Sequence, residues 1–167
     1  GFEYELLLKE VDESYPAHLA LEKVAGYISN KKAEAFEAKA DGMIITSDTV
    51  VLLDQKLLGK PKDDQHAFEM LSSLNGNTHQ VITGVTLKSE NKTFNFSETT
   101  EVTFTHLTDE QLWYYILEFK PMDKAGAYGI QDWIGMVGVK RINGSYTNVM
   151  GLPTERLFKE LANFDVI

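Results

Sequence analysis

Residues 43–53, MIITSDTVVLL, constrain the fold of this chain most strongly because nearly all of them are apolar or β-branched. Such a run favours a strand buried on both faces, which requires helices packed over its sheet. Asp48 stands in the middle of this run, where an unpaired carboxylate costs several kcal/mol. We therefore expect Asp48 either to face a cleft as a general base or metal ligand, or to be satisfied by local backbone donors.

The rest of the chain predicts helices and further strands around this central strand. Hydrophobic spacing, capping residues and turn signals assign each segment to one class. The predicted strands cover residues 2–9, 43–53, 79–88, 93–105 and 133–142, and the predicted helices cover residues 16–40, 63–74, 108–120 and 153–163. This order predicts an α/β fold with a long twisted mixed sheet, flanked by helices, and a central ligand cleft.

Composition excludes several classes of function. The chain has 167 residues, a size typical of one globular domain, and 25 acidic against 16 basic residues give it a net charge of -9. Broad contact with nucleic acid or an anionic membrane is therefore not expected. The absence of cysteine excludes disulfides, thiol nucleophiles and zinc-thiolate sites. No long apolar run or signal-peptide pattern is present, which predicts a cytoplasmic protein.

Residues 123–131, DKAGAYGIQ, combine an acid, a base, two glycines and an amide within nine positions. Glycine permits tight backbone paths and close approach of a ligand. Lys124 can hold an anion, and Gln131 can both donate and accept hydrogen bonds. The segment therefore predicts a loop that wraps a charged ligand with a polar ring.

Three further charged residues are candidates for the same site. Lys32 lies on the apolar stripe of the first helix, where it either reaches the helix edge or points into the cleft of Asp48 as a cation for phosphate. Glu13 precedes that helix and could favour its N-terminus or bind a divalent metal. Lys60, between a glycine and a proline, could contact phosphate or be a solvated turn residue.

Other familiar site patterns are missing from the sequence. The four histidines have no ligand spacing, so a histidine metal site is not expected. No phosphate-binding loop, dinucleotide-binding glycine motif or nucleophile elbow occurs. The aromatic group 113–115, WYY, is typical of a core or a subunit contact rather than a base-stacking platform.

Taken together, a series of ordered motifs resembles the Maf family over almost the whole chain. These motifs are Asp12-Glu13, Lys32-Ala33, residues 47–51 (SDTVV), Gly59-Lys60-Pro61, residues 79–85 (HQVITGV), residues 100–104 (TEVTF), residues 123–131 (DKAGAYGIQ), Gly144-Ser145-Tyr146 and residues 148–153 (NVMGLP). Maf proteins are nucleoside triphosphate pyrophosphatases related in fold to the inosine triphosphate pyrophosphatases, with an older association with septum formation. The chain matches the family pattern from just after its Ser-x-Ser-Pro-Arg-Arg loop. That loop is therefore absent from this sequence. A first residue other than Met favours a chain shortened at its N-terminus.

The resemblance implies roles for particular residues. Asp48 corresponds to the catalytic proton acceptor, and Thr49 and Gln131 correspond to positions that select the base and match the branch acting on dTTP and UTP. A glutamine amide can complement the carbonyl groups and single N–H of uracil or thymine.

The resemblance also implies a homodimer. We further expect a divalent cation, Mg²⁺ or Mn²⁺, held by Glu13 and Asp48, and Lys32, Lys60 and Lys124 offsetting the charge of the phosphates.

Three functional hypotheses follow from the sequence. The first is hydrolysis of dTTP and UTP between the α- and β-phosphates, and the second is removal of modified or non-standard nucleotides on the same fold. The third is a nucleotide-binding regulator of division whose hydrolysis is weak or lost.

Overall fold

A computed structural model describes residues 3–39 and 42–164, and a five-stranded sheet lies at its centre. The strands are β1 (Ile44–Leu53), β2 (Lys56–Leu58), β3 (Thr78–Lys88), β4 (Thr93–Phe104) and β5 (Val139–Asn143). The helices are α1 (Val24–Glu34), α2 (Asp64–Leu74), α3 (Asp109–Phe119), α4 (Trp133–Val137), α5 (Tyr146–Val149) and α6 (Thr154–Ala162), with 3₁₀ turns at Leu21–Lys23 and Ala125–Ala127. The strand order is β2-β1-β3-β4-β5. The predicted α/β fold, a sheet flanked by helices, is confirmed.

Local chemistry explains where the central helices begin and end. The Asp63 side chain accepts a hydrogen bond from the backbone N–H of His66 at 2.7 Å and caps α2. Thr108 and Gln111 form a reciprocal capping box at the start of α3. Lys120 adopts a left-handed conformation, with φ of 46°, and closes α3 before Pro121. Both helices therefore begin and end within one or two residues of their predicted bounds.

Alternate residues of β1 point to opposite faces of the sheet, so this strand joins two parts of the core. Val51 packs on the face covered by α2 and α3, with Leu71. Leu52 packs on the opposite face with Ala25 of α1. Asp48 shares the α1 face with Leu52, whereas Thr49 shares the other face with Val51. The site therefore receives side chains from both sides of one strand.

The sheet is antiparallel rather than mixed, which corrects the prediction. All four strand pairs among the described residues are antiparallel. A parallel pair would have needed residues 2–9 to form a strand connected through α1, but residues 3–9 have no regular secondary structure and pair with no described strand. Phe2 lies outside the described residues.

Two other predicted bounds differ from the structure. Residues 133–142 are not one strand, because α4 occupies its first half and β5 begins at Val139. The backbone N–H of Gly138 bonds to Ile134 O at 2.8 Å and closes this helical turn. The first helix is shorter than residues 16–40, since α1 ends at Glu34, and Ala40 lies outside the described residues. Short apolar runs such as 133–137 do not distinguish a helix from a strand.

The described part of the chain contains no helix that is both long and apolar enough to cross a membrane.

Candidate functional site

A cleft of about 400 Å³ opens beside the middle of β1. Its walls come from β1, from the turn after β2, from the segment 123–131 and from residues 149–151. A volume of this size lies in the range of small-molecule sites. Its polar lining includes Asp48, Thr49, Lys60, Lys124, Tyr128 and Gln131.

Asp48, Lys32 and Glu13 form a chain of charges at the cleft. The Lys32 ammonium donates to Asp48 Oδ1 at 2.7 Å and lies 2.9 Å from Glu13 Oε1. The Asp48 side chain is only 13% exposed, so its carboxylate is largely removed from water. Lys32 reaches Asp48 because α1 packs over the face of β1 on which Asp48 lies.

Burial sets the proton affinity of Asp48. Loss of solvent raises the pKa of Asp48 above its ordinary value, and the hydrogen bond from Lys32 acts in the opposite direction. The hydrogen bond from Lys32 lowers the pKa of the more exposed Glu13. Burial disfavours the charged Lys32 ammonium, but its bonds to Asp48 and Glu13 outweigh this and raise its pKa. A buried carboxylate of raised basicity beside a cation can accept a proton from water.

Two more lysines line the same cleft. Lys60 follows β2 and lines the cleft. Hydrogen bonds from Lys32 and Lys124 lower the pKa values of Glu13 and Asp123, respectively, and the positive charge of Lys60 adds to both effects. Lys124 donates to Asp123 at 3.0 Å and keeps a side-chain exposure of 26%. The cleft is therefore positively charged at two points inside an acidic protein, which suits a small anionic ligand.

The segment 123–131 is held against the sheet by backbone contacts. Gly126 has φ of 68° and lies on the Val51 side chain, and its N–H donates to Gly59 O at 3.0 Å. A Cβ at this position would be strained by φ as well as crowded by Val51. This glycine therefore lets the segment lie close to β1 and form one wall of the cleft.

Tyr115, a core residue, holds the C-terminal end of the segment 123–131 in place. Its hydroxyl donates to Asp132 Oδ2 at 2.7 Å and accepts from the backbone N–H of Gly129 at 3.0 Å. The tyrosine is completely buried. These two bonds hold the Gly129 backbone and the Asp132 side chain, on either side of Gln131, which lines the cleft.

The chain is similar in sequence to proteins of one family. A family model described as Maf-like protein matches residues 1–164. The chain belongs to the Maf family. It is 51% identical to the dTTP/UTP pyrophosphatase of Phocaeicola vulgatus over 164 residues, covering 96% of this chain and 85% of the relative. The dTTP/UTP pyrophosphatases of Flavobacterium psychrophilum and Porphyromonas gingivalis are each 47% identical, covering 96% and 94% of this chain and 84% and 81% of the relatives.

The structure brings together the residues predicted from the sequence of this Maf protein. Asp48, Thr49, Lys60, Lys124 and Gln131 line the cleft. Lys32 and Glu13 lie behind Asp48 and reach the cleft through their ion pairs. Lys32 points toward Asp48, and Asp48 has an ionic partner in Lys32. The catalytic and phosphate-binding roles expected for the two residues stay predictions.

Sequence reasoning missed several residues that build the site from within the core. They are Thr83, Tyr115, Tyr128 and Asn148. Thr83 and Tyr128 belong to motifs that carry the Maf resemblance, but a motif does not reveal which of its members support the others. Asn148 opens the motif 148–153, but an asparagine near a turn is ordinary, so its sequence context did not reveal that it is completely buried.

The acidic residues of the site suit one kind of metal binding. No group of three or more potential metal-ligand side chains occurs within residues 3–39 and 42–164. Asp48 and Glu13 nevertheless share one ammonium, which places the two carboxylates close together. Mg²⁺ is commonly bound by one or two carboxylates with the remaining positions taken by water and substrate phosphates. The residues present fit that arrangement.

Proposed function

We propose that this chain hydrolyses dTTP and UTP to the nucleoside monophosphate and pyrophosphate in the cleft beside β1. The observation that carries the proposal is the buried Asp48 carboxylate, paired with Lys32 at a cleft of nucleotide-binding size. The names of the Maf relatives, dTTP/UTP pyrophosphatase, supply the reaction class.

Asp48 acts as the proton acceptor in the proposed reaction. It takes a proton from water as the water oxygen attacks the α-phosphorus, and the bond from that phosphorus to the bridging oxygen of the β-phosphate breaks. The products are the nucleoside monophosphate and pyrophosphate. The raised pKa of Asp48 makes the carboxylate a stronger base than an exposed aspartate.

The lysines counter the negative charge that the triphosphate brings into the cleft. Lys60 and Lys124 line the cleft and are placed to contact phosphate oxygens. Lys32 keeps Asp48 ionised and oriented through their 2.7 Å contact. All three contributions are local, so the overall charge of -9 does not oppose substrate binding at this point.

Glu13 and Asp48 are the proposed ligands for Mg²⁺ or Mn²⁺. A divalent cation at these carboxylates supplies charge neutralisation for the phosphates and lowers the pKa of bound water. Glu13 is half exposed, with a side-chain exposure of 48%, so it can leave Lys32 when a cation or substrate arrives.

Thr49 and Gln131 are the proposed base-selecting residues. They stand on different walls of the cleft, Thr49 on β1 and Gln131 at the end of the segment 123–131. A ring with two carbonyl acceptors and one N–H donor can be complemented by a hydroxyl and an amide together.

The homodimer and the cytoplasmic location remain part of the proposal. Of the aromatic group 113–115, Tyr115 is buried and Trp113 stacks on Phe68, which leaves Tyr114, 49% exposed, as the member available for a subunit contact.

A substrate panel tests the proposed activity. Pyrophosphate release is measured from dTTP, UTP, CTP, dGTP, ITP and pseudouridine triphosphate with Mg²⁺ or Mn²⁺, in the natural full-length protein. The proposal predicts that dTTP and UTP have the highest kcat/KM. Preference for pseudouridine triphosphate would instead support removal of modified nucleotides. Tight binding of nucleotide with no turnover would support the regulator of division.

A further inference from the structure

A chain of hydrogen bonds runs from the cleft into the core. It consists of the Thr49 hydroxyl, the Thr83 hydroxyl and the backbone carbonyl of Asn148. Thr49 Oγ1 lies 2.8 Å from Thr83 Oγ1 on the neighbouring strand, where the two residues are register partners. Thr83 Oγ1 lies 2.9 Å from the backbone carbonyl oxygen of Asn148. Thr83 and Asn148 are completely buried, whereas Thr49 lines the cleft.

The carbonyl at the inner end of this chain of hydrogen bonds is held in place by the Asn148 side chain. Asn148 Nδ2 donates to Val81 O at 3.1 Å and to Thr100 Oγ1 at 2.9 Å. Its backbone N–H donates to the Ser145 hydroxyl at 3.3 Å at the start of α5. These bonds tie residue 148 to β3 and β4, so its carbonyl oxygen is a fixed acceptor.

Only one arrangement of protons satisfies both hydroxyl contacts. A carbonyl oxygen only accepts, so the single hydroxyl proton of Thr83 is donated to Asn148 O. Thr83 Oγ1 can then only accept from Thr49, and the single hydroxyl proton of Thr49 is used in that bond. Toward the cleft, Thr49 Oγ1 presents lone pairs and no proton.

We infer that Thr83 is a specificity-determining positioning residue, which makes Thr49 a hydrogen-bond acceptor for the N3–H of uracil and thymine. This inference rests on the proposed function of the cleft. Uracil and thymine carry a proton on N3, whereas N3 of cytosine is itself an acceptor. An acceptor facing N3 therefore favours UTP and dTTP and disfavours CTP, because two acceptors would face each other without a proton.

Thr83→Val tests the inference because valine has nearly the shape of threonine but no hydroxyl. In this variant the Thr49 proton is free to turn toward the cleft, where it can bond to cytosine N3. The ratio of kcat/KM for UTP to kcat/KM for CTP should fall about tenfold or more, through loss on UTP with CTP unchanged or improved. Thr83→Ser keeps the hydroxyl and should retain at least half of the wild-type ratio.

Thr86→Val is the matched control. Thr86 is also fully buried on β3, but its hydroxyl contacts Ser29 at 2.6 Å and Asn95 at 2.7 Å, away from the cleft. It should lower stability while leaving the UTP to CTP ratio unchanged. Urea unfolding of each variant shows whether it is folded at the assay temperature.

The outcomes separate this inference from the proposed function. If wild-type protein prefers UTP to CTP and folded Thr83→Val keeps the same ratio, the inference is wrong and the proposed function stands. Equal losses on both substrates in Thr83→Val would also overturn it, because they would show a structural role only. If the wild-type protein releases no pyrophosphate from any nucleotide, the proposed function itself fails.

Discussion

Asp48 is the residue on which the proposed chemistry depends most. Asp48→Asn removes the proton acceptor but keeps the size and polarity of the side chain, so kcat should fall by about 10²- to 10⁴-fold. The measurement is pyrophosphate release from UTP at saturating substrate. Asp54→Asn, in the exposed turn after β1, is the matched control and should stay within about twofold of wild type. A rate in Asp48→Asn equal to that of the control would remove Asp48 from the mechanism.

Lys32 determines how easily Asp48 is ionised. Lys32→Met removes the ammonium from between Asp48 and Glu13, and the remaining burial and the charge of Glu13 both raise the pKa of Asp48. The base must be deprotonated to act, so the acid limb of the kcat/KM profile should move to higher pH. At neutral pH kcat/KM should fall roughly tenfold or more.

The neighbouring lysine provides the control for Lys32→Met. Lys31 pairs with the exposed Asp12 at 2.9 Å on the surface, where water screens the ion pair and little stability depends on it. Lys31→Met should leave both the pH profile and kcat/KM close to wild type. An identical acid limb in wild type and Lys32→Met would contradict the assigned role of Lys32.

At the scale of elements, Lys32 reaches Asp48 because α1 crosses β3 at very short range. The crossing point is Gly84, where an added Cβ would overlap the backbone of Ala25 and Gly26. Gly84 is also the register partner of Asp48. The absence of a side chain at one position therefore sets the height of the helix above the site.

Gly84→Ala should push α1 away from the sheet. Backbone atoms cannot move aside as a flexible side chain can, so we expect a loss of about 1–3 kcal/mol in the free energy of unfolding, measured in urea. Gly59→Ala is the control, because a Cβ there meets no atom within 4 Å. Equal stability of the two variants would show that the helix adapts without cost.

The elements also show what could be predicted from the sequence. The strands 79–88 and 93–105 and the helices 63–74 and 108–120 carry strong local signals, and each lies within one or two residues of its predicted position. Residues 3–9 have the composition of a strand, but a strand requires a partner, which local sequence does not reveal. The short run 133–137 is apolar, which is compatible with a helix or a strand. In the structure its backbone forms a helix.

Within the site, too, some residues could be predicted from the sequence and others could not. Residues with unusual chemistry for their surroundings, such as Asp48 and Lys32, were found from the sequence because a buried charge requires a partner. Thr83 and Asn148 were not, since a threonine in a strand and an asparagine near a turn are ordinary. Their importance comes from contacts over 34 to 65 positions of the chain.

At the scale of the whole molecule, a buried histidine links stability to pH. His79 is 2% exposed, and its Nε2 lies 2.8 Å from the Tyr128 hydroxyl. Burial lowers the pKa of His79 to about 4, from 6.5 in an exposed histidine. Between these values the unfolded chain binds a proton that the folded chain does not, so stability falls as pH decreases from 6.5 toward 4.

The free energy of unfolding should therefore decrease by up to about 3 kcal/mol between pH 7 and pH 4 through this residue. In His79→Gln this contribution should disappear, and the curve of stability against pH should be flatter by that amount. Parallel curves for wild type and His79→Gln would contradict the neutral buried state of His79.

The central claim is that water attacks the α-phosphorus of a pyrimidine triphosphate in this cleft. Hydrolysis of UTP in water enriched in ¹⁸O, followed by mass spectrometry of the products, tests it most directly. We predict one ¹⁸O atom in each UMP and none in the pyrophosphate, with labelled UMP formed in Asp48→Asn at a rate reduced by the same factor as kcat. Label in the pyrophosphate, or formation of UDP and inorganic phosphate, would contradict it.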